Sequence, residues 1–300
     1  MNFKKFLLLG ILLFLYACNN ASDADSLPEP IPELELDLSN CPLSVSSETL
    51  DVLTWNLEQF PKSGLTKAAV EDIIEHYDTD LIALQEITSV TQFNDLLQTL
   101  EGWEGFAMPY NGSNLMLGYL YKSSEVDLLS TMQLFEAQTA MNDNAFTAFR
   151  RPLKIQINHK PSGLNVELIN IHLKCCNGSE DRRRAATTLL KDYIDTELPQ
   201  SNVIVLGDFN DDIIDNNNVF QDWIDDADHY YFTTLPVAEG PSTGWSFPNF
   251  PSQIDNILIS DELFDNEVDS GVLALDNCFS SFAEYEVFVS DHRPVFIYLR

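Results

Sequence analysis

The tetrapeptide Gly207-Asp208-Phe209-Asn210 follows the apolar run 203–206, and Ser290-Asp291-His292-Arg293-Pro294 lies near the end of the chain. A run such as 203–206 reads as a buried strand. The first motif therefore sets a carboxylate and an amide at a strand end. Gly207 allows a sharp exit, and the period of a strand puts Asp208 and Asn210 on one face. Asp, Asn and His gathered at strand ends can bind a hard cation and activate water. The pattern recurs. Asn56 and Glu58 end the run 53–58, and Gln85-Glu86 follow 81–84. Asn170 and His172 end a further run, and Asp255 opens 255–258. Rigid scaffolds present catalytic groups at such positions. One Asp or His at a strand end is usually a turn former or a satisfied polar group. Repetition within one chain is what points to a site.

These residues need strands and helices to hold them. Period-2 and buried runs place strands at 50–57, 81–84, 115–121, 126–134, 153–157, 166–173, 203–206, 254–259 and 295–299. Helical spacing covers 66–77, where Ala69, Val70, Ile73 and Ile74 share a face, and also 91–100 and 182–198. Short turns at 121–126 and 157–166 imply antiparallel pairs. The strands are too many and too irregular for a simple doubly wound sheet. Two packed mixed sheets with helices outside fit best, as one large domain.

Lys4 and Lys5 precede the apolar run 6–16 and then Ala17-Cys18, the form of a secretory leader. The run is too short for an ordinary spanning helix. Leu15-Tyr16-Ala17-Cys18 resembles a bacterial lipobox, although Tyr16 is bulky for its position and a plain leader is the alternative. The expected organisation is a leader over 1–17, a tether over 18–47 from a lipidated Cys18, and a domain over 48–300. The tether is acidic and carries Pro28, Pro30 and Pro32. The expected location is the bacterial cell envelope. Acidic residues number 47 against 16 basic, a net charge of -31. That field repels polyanions such as DNA and anionic membrane faces. A phosphate substrate stays possible, because a bound cation inverts the local sign. With Cys18 lipidated, Cys41, Cys175, Cys176 and Cys278 allow three pairings. Cys175 and Cys176 could bridge each other or each pair elsewhere. Structural use is expected, and zinc-ligand spacing is lacking.

Order and spacing of seven elements carry a family resemblance. They are Trp55-Asn56, Gln85-Glu86, Arg150-Arg151-Pro152, Asn170-Ile171-His172-Leu173, Gly207-Asp208-Phe209-Asn210, Asp255-Asn256-Ile257-Leu258 and Ser290-Asp291-His292. Over roughly residues 50–300 the chain resembles the endonuclease/exonuclease/phosphatase superfamily, the DNase I-like metal-dependent phosphohydrolases. The resemblance implies an α/β fold, a four-layer sandwich of two mixed β-sheets flanked by helices, with the site at one edge. It implies Mg²⁺, with Mn²⁺ or Ca²⁺ as alternatives, held by Glu86 with Asn56 and Asp291. His172 would contact the scissile phosphate and protonate the leaving oxygen. Asp208 would orient or deprotonate water, and Asn210 would hold the nucleophile or a phosphate oxygen. Asp255 would pair with His292, the latter acting as base or phosphate contact. Arg150 would contact phosphate, with Arg151 the rival. Trp245 lies in a segment that flanks substrate pockets, with core packing as its alternative.

The expected function is thus an exported, monomeric, metal-dependent phosphohydrolase, foremost a phosphodiesterase or endonuclease. It would meet a phosphate-ester substrate, and the membrane through its lipid anchor. The alternatives are a phosphatase or phospholipase C-type enzyme on small esters or lipid head groups, and a non-catalytic binding protein on the same scaffold. The loop 174–181 is unlike common nuclease loops. Arg182 to Arg184 fit helix capping and acid pairing as well as phosphate recruitment. His76, His159 and His229 match no motif.

Overall fold

Alternation along the strands decides which side chains meet. The computed structural model describes residues 34, 36–41, 48–110, 113–146 and 150–300, so the leader, Cys18 and most of the tether lie outside the described residues. In chain order the elements are β1 (Leu50–Phe60), α1 (Thr66–Tyr77), β2 (Leu81–Ile87), α2 (Val90–Leu97), β3 (Trp103–Tyr110), β4 (Ser113–Lys122), β5 (Val126–Gln133), α3 (Ala140–Phe146), β6 (Leu153–His159) and β7 (Asn165–His172). They continue with α4 (Glu180–Glu197), β8 (Val203–Asp208), α5 (Gln221–Ile224), β9 (Tyr230–Phe232), α6 (Leu235–Ala238), β10 (Asp255–Ser260), β11 (Glu267–Val272), α7 (Phe282–Phe288) and β12 (Val295–Leu299). The strands form two six-stranded sheets, ordered β11-β12-β1-β2-β4-β3 and β5-β6-β7-β8-β10-β9. Both are mixed, with β1–β2 and β7–β8 parallel and the other pairs antiparallel.

Each central strand is buried on both faces. Leu50, Val52, Leu81, Ala83, Leu168, Ile204, Leu206, Ile257 and Ile259 pack between the sheets. Their out-of-phase neighbours Leu53, Trp55, Ile82 and Leu84 pack outward among Ala69, Val70, Ile73, Ile74 and Phe93 of α1 and α2. Val203, Val205 and Leu258 pack outward with Ala186, Leu190 and Ile194 of α4. Sheet strands read as near-continuous apolar runs when both faces are covered in this way. Local signals set the helix boundaries. Asp78 takes a left-handed φ of 50° after α1, and Ser89 caps α2 by accepting from the Gln92 amide. The expected four-layer α/β sandwich is the fold observed.

Three features differ from the sequence reading. The turn after Tyr121 does not join an antiparallel pair, because β4 lies in one sheet and β5 in the other. The turn between β6 and β7 does join one. Second, the folded unit begins ahead of residue 48. Leu34, Leu36 and Leu38 pack on the core, and Cys41 is disulfide-bonded to Cys278. The Cys175 and Cys176 thiols are free, so the structure realises neither expected pairing for them. Third, β3, β9 and β11 escape a search for apolar runs. All are edge strands, and Gly105, Pro109 and Gly271 interrupt two of them. Among the described residues no helix is long and apolar enough to cross a membrane.

Candidate active site

Strand parity and register assemble the site. Continuing the inward-facing phase past Val52, Ala83, Leu168, Leu206 and Ile257 brings Asn56, Gln85, Asn170, His172, Asp208 and Asp255 to one edge between the sheets. Within the second sheet, Asp208 is the register partner of His172 on one side and Asp255 on the other. Hydrogen bonds then close the gap between sheets. Asn56 Nδ2 donates to Asp208 Oδ2 at 3.0 Å, and Gln85 Nε2 to Asn170 Oδ1 at 2.8 Å. Asn170 Nδ2 in turn donates to the Leu84 and Gly118 carbonyls. These polar groups are fully buried, where an unpaired donor would be costly.

Gly207 has a different task from the one its sequence suggests. It lies inside β8 rather than at an exit, with φ at 138°. A Cβ there would stand 2.0 Å from the Ile171 carbonyl oxygen. Only glycine lets β8 approach β7 that closely. Asn210 likewise does not share a strand face with Asp208. It turns to a left-handed φ of 56°, its amide donating to Asp208 Oδ1 at 2.9 Å and its side chain to the Leu173 carbonyl at 3.2 Å. Phe209 between them is fully buried against Phe220, Trp223 and Phe232.

Bulges bring in the remaining carboxylates. The β1–β2 register breaks after Asn56 and resumes at Phe60, and β2–β4 breaks between Leu84 and Ile87. Glu58, Gln59 and Glu86 take positive φ there. Bulges beside active sites re-aim side chains. Simple alternation would turn Glu86 outward with Ile82 and Leu84; the bulge turns it to within 3.6 Å of His172 Nε2. Glu58 accepts from the Asp291 amide at 2.8 Å and pairs with Lys62, whose ammonium also reaches the Glu286 carbonyl. The sequence marks Glu58 only as a polar strand end and does not mark Lys62 at all. The spacing Asn56-Leu57-Glu58 was the available signal.

The terminal motif is fastened to β1. Ser290 Oγ donates to the Asn56 carbonyl at 2.6 Å and accepts from the His292 amide at 3.0 Å. His292 Nδ1 bonds Asp255 Oδ2 at 2.7 Å, so the expected pair forms. Burial works to lower the His292 imidazolium, but the Asp255 charge and hydrogen bond outweigh it and hold the ring up at about 10. His172 is the opposite case. Burial, reinforced by the Arg150 charge, keeps it well below the ordinary imidazole range. Arg150 Nη1 stands 2.7 Å from His172 Nε2. A guanidinium only donates, so Nε2 accepts and the ring is neutral. In this state His172 has no Nε2 proton for a leaving oxygen. Burial first, then Asp255, raises Asp208 to about 7; burial raises Asp291 to about 7, and Glu58 adds to it. Burial also raises Glu86.

The arginines divide cleanly. Arg150 faces the site, whereas Arg151 is buried in an ion pair with Asp143. Arg182, Arg183 and Arg184 tie α4 to the Asn144 carbonyl, to Asp211 and to the Asn218 carbonyl. Trp245 sends its indole N–H to the Val237 carbonyl at 3.0 Å. The aromatic ring against His292 is Phe247, at 4.8 Å between centroids, and the exposed Phe250 stacks on Phe247. His159 pairs with Ser162, and His229 with Asp226. His76 packs edge-on to Tyr77 in α1.

Two sets could hold a cation. Asp208, Asp255 and His292 bring ligand atoms within 4.8 Å of one another. A charged imidazolium has no lone pair for a metal, and its Nδ1 is already bonded to Asp255, so this set is poor. Glu86, Asn56 and Asp291 offer oxygen donors, which suit Mg²⁺. The buried Oδ1 of Asp291 makes no hydrogen bond. Five carboxylates crowd this edge; burial raises Glu86, Asp208 and Asp291, and neighbouring carboxylates add to it at Asp208 and Asp291, negative charge that a divalent cation would relieve.

The endonuclease/exonuclease/phosphatase family model matches residues 53–292. No curated protein matches the sequence. Among solved structures, the human Nocturnin catalytic domain with bound sulfate is 18% identical, with a TM-score of 0.65 over 86% of this chain and 95% of that one. The mannosyl-6-phosphatase Bt3783 of Bacteroides thetaiotaomicron is 17% identical, with a TM-score of 0.62 over 84% of this chain and 99% of that one. TDP2 of D. rerio, complexed with a single-strand DNA product, is 15% identical, with a TM-score of 0.63 over 84% and 99%. At these identities the likeness is one of fold.

Proposed function

Because this chain belongs to the endonuclease/exonuclease/phosphatase family, we propose that it is a divalent-metal-dependent hydrolase of phosphate esters, working where β1, β2, β7, β8 and β10 end. One observation carries the reading: Asp208 lies between His172 and Asp255 in register, with the Asp255–His292 pair and the Asn56–Glu86 donors around it. Glu86, Asn56 and Asp291 would hold Mg²⁺. When bound, the ion neutralises phosphate charge and makes water more acidic. The rest of the work falls to the chain. Asp208 takes a proton from the attacking water. His292, charged and oriented by Asp255, donates to a phosphate oxygen or to the leaving oxygen. Arg150 neutralises a non-bridging oxygen, its guanidinium oriented by His172. Asn210 positions the nucleophile.

For substrate, we favour a small phosphate ester over duplex DNA. The net charge of -31 opposes a polyanion. Arg182 to Arg184, the densest basic run, are committed to structural contacts. The solved structures of like fold include both a mannosyl-6-phosphatase and a TDP2 complexed with a DNA product, so the fold serves either class. Export and lipid anchoring at Cys18 are part of the proposal, supported by Lys4, Lys5, the apolar run 6–16 and Ala17-Cys18. The Cys41–Cys278 bond is of a kind that persists in oxidising surroundings.

A hydrolysis screen with Mg²⁺ against chelator tests the reading. It compares sugar phosphates, nucleotides, inositol phosphates, sphingomyelin, single-stranded DNA, RNA and plasmid. Metal-dependent turnover of small esters ahead of plasmid is expected. Fastest cleavage of plasmid would overturn the substrate assignment. Turnover of nothing would overturn the enzyme.

A further inference from the structure

Cys175 and Cys176 sit between β7 and α4, beside groups of the active site yet outside its proposed chemistry. Their sulfurs are 2.8 Å apart and unbonded. Lys174 Nζ lies 3.5 Å from Cys175 Sγ. Arg183 Nη1 donates to the carbonyls of Lys174 and Cys176 at 2.8 and 3.2 Å, and its Nε to Asp211 at 2.8 Å. Asn210 reaches the same stretch through the Leu173 carbonyl. Cys176 is exposed, and it lines a cleft of about 420 Å³ together with Asn210, Arg183, Asp212 and Ser252. A small reagent can therefore reach Cys176 from the side of Asn210, and the sulfur of the partly exposed Cys175 adjoins it.

We propose that Cys175 and Cys176 form a reversible thiol–disulfide site on the rim of the active cleft, oxidised by low-molecular-weight disulfides to an intramolecular Cys175–Cys176 bond. Cys175 is the attacking sulfur. Burial works to raise its thiol, but the hydrogen bond from Cys176 and the charges of Lys174 and Arg150 outweigh this, and it titrates below the usual thiol range. Cys176 is held above that range, first by its hydrogen bond to Cys175. The thiolate is the nucleophile in such exchange.

The chemistry balances in two steps. Cys175 Sγ gives up its proton and bonds one sulfur of R–S–S–R; the S–S bond breaks, and one RS⁻ leaves and takes a proton as RSH. Cys176 Sγ then loses its proton, bonds Cys175 Sγ and expels the second RS⁻, which also leaves as RSH. The protein pair loses two electrons and two protons, and the small disulfide becomes two thiols. A dithiol reductant reverses both steps. Surroundings that maintain the Cys41–Cys278 bond supply oxidants of this class.

The test treats the full chain with bis(2-hydroxyethyl) disulfide, alkylates the remaining thiols and digests with trypsin. Lys174 and Arg182 bound a fragment 175–182 that holds both sulfurs. The expected fragment is unalkylated, lighter by two hydrogens, and restored by dithiothreitol. Cys176→Ser should stop at a mixed disulfide on Cys175. Cys175→Ser should slow adduct formation at Cys176 by about tenfold. Alkylation of both sulfurs in the wild type, or a separate hydroxyethyl adduct on each, would overturn the proposal. An unchanged rate in Cys175→Ser would do the same.

Discussion

His292 and His172 belong to one cluster, yet the first is charged by its Asp255 partner while burial, and then Arg150, keep the second neutral. The Asp255→Asn variant tests the first half. A histidine raised by its partner gains stability from the pair below its unfolded value, and loses that gain as pH rises through its folded value. In the wild type this loss lies near pH 10; in the variant it should move down toward the ordinary imidazole range. Turnover near neutral pH should fall by about 10²–10⁴-fold. NMR titration of His292 beside a pH–rate profile reads both effects. An unmoved titration would show that Asp255 does not charge the ring. The adjacent arginines make a second pair of predictions. Arg150→Ala should cut kcat/KM by about 10²-fold and leave thermal unfolding nearly unchanged. Arg151→Ala should do the reverse, costing about 1–3 kcal/mol through loss of a buried guanidinium that pairs with the exposed Asp143. Kinetics and calorimetry on the two variants separate the roles.

At the scale of elements, the β7–β8 contact is the tightest constraint on the site. Gly207→Ala would set a methyl group 2.0 Å from the Ile171 carbonyl oxygen. Separation of the strands should cost about 3 kcal/mol or more and carry Asp208 out of register with His172. Denaturant unfolding measures the cost, and turnover at a permissive temperature measures the displacement. Near-wild-type values in both would mean the strands do not need that approach. This contact also marks the limit of what was legible in the sequence. Buried apolar runs exposed the central strands, and order and spacing along them named Asn56, Glu86, His172, Asp208, Asp255 and His292. Sequence alone did not show that Gly207 serves a strand-to-strand approach, or that Asn210 leaves the strand. Bulges were equally hidden, because positive φ at Glu58 and Glu86 reverses the phase that alternation supplies. Edge strands such as β11 need no continuous apolar run and so left no pattern to find. Phe247 and Lys62 reach the site from loops, where no periodicity marks them.

At the scale of the whole molecule, the Cys41–Cys278 bond closes a separation of 237 residues and fastens the N-terminal stretch to the core that also packs β1. Replacing both cysteines by serine should lower stability by about 2–5 kcal/mol while leaving turnover per folded molecule intact. Equal melting points for reduced and oxidised protein would count against that role. The acidic surface acts on the same scale, steering polyanions away while the crowded carboxylates at one edge call for a divalent cation. The most direct test is phosphate-ester hydrolysis by chelator-stripped protein as Mg²⁺ is restored, run beside Glu86→Gln, Asp208→Asn and His292→Ala. Activity should return with Mg²⁺ in the wild type alone, with all three variants folded and at least about 10²-fold slower. Hydrolysis that survives chelation, or full activity in all three variants, would contradict a metal-dependent phosphohydrolase at this site.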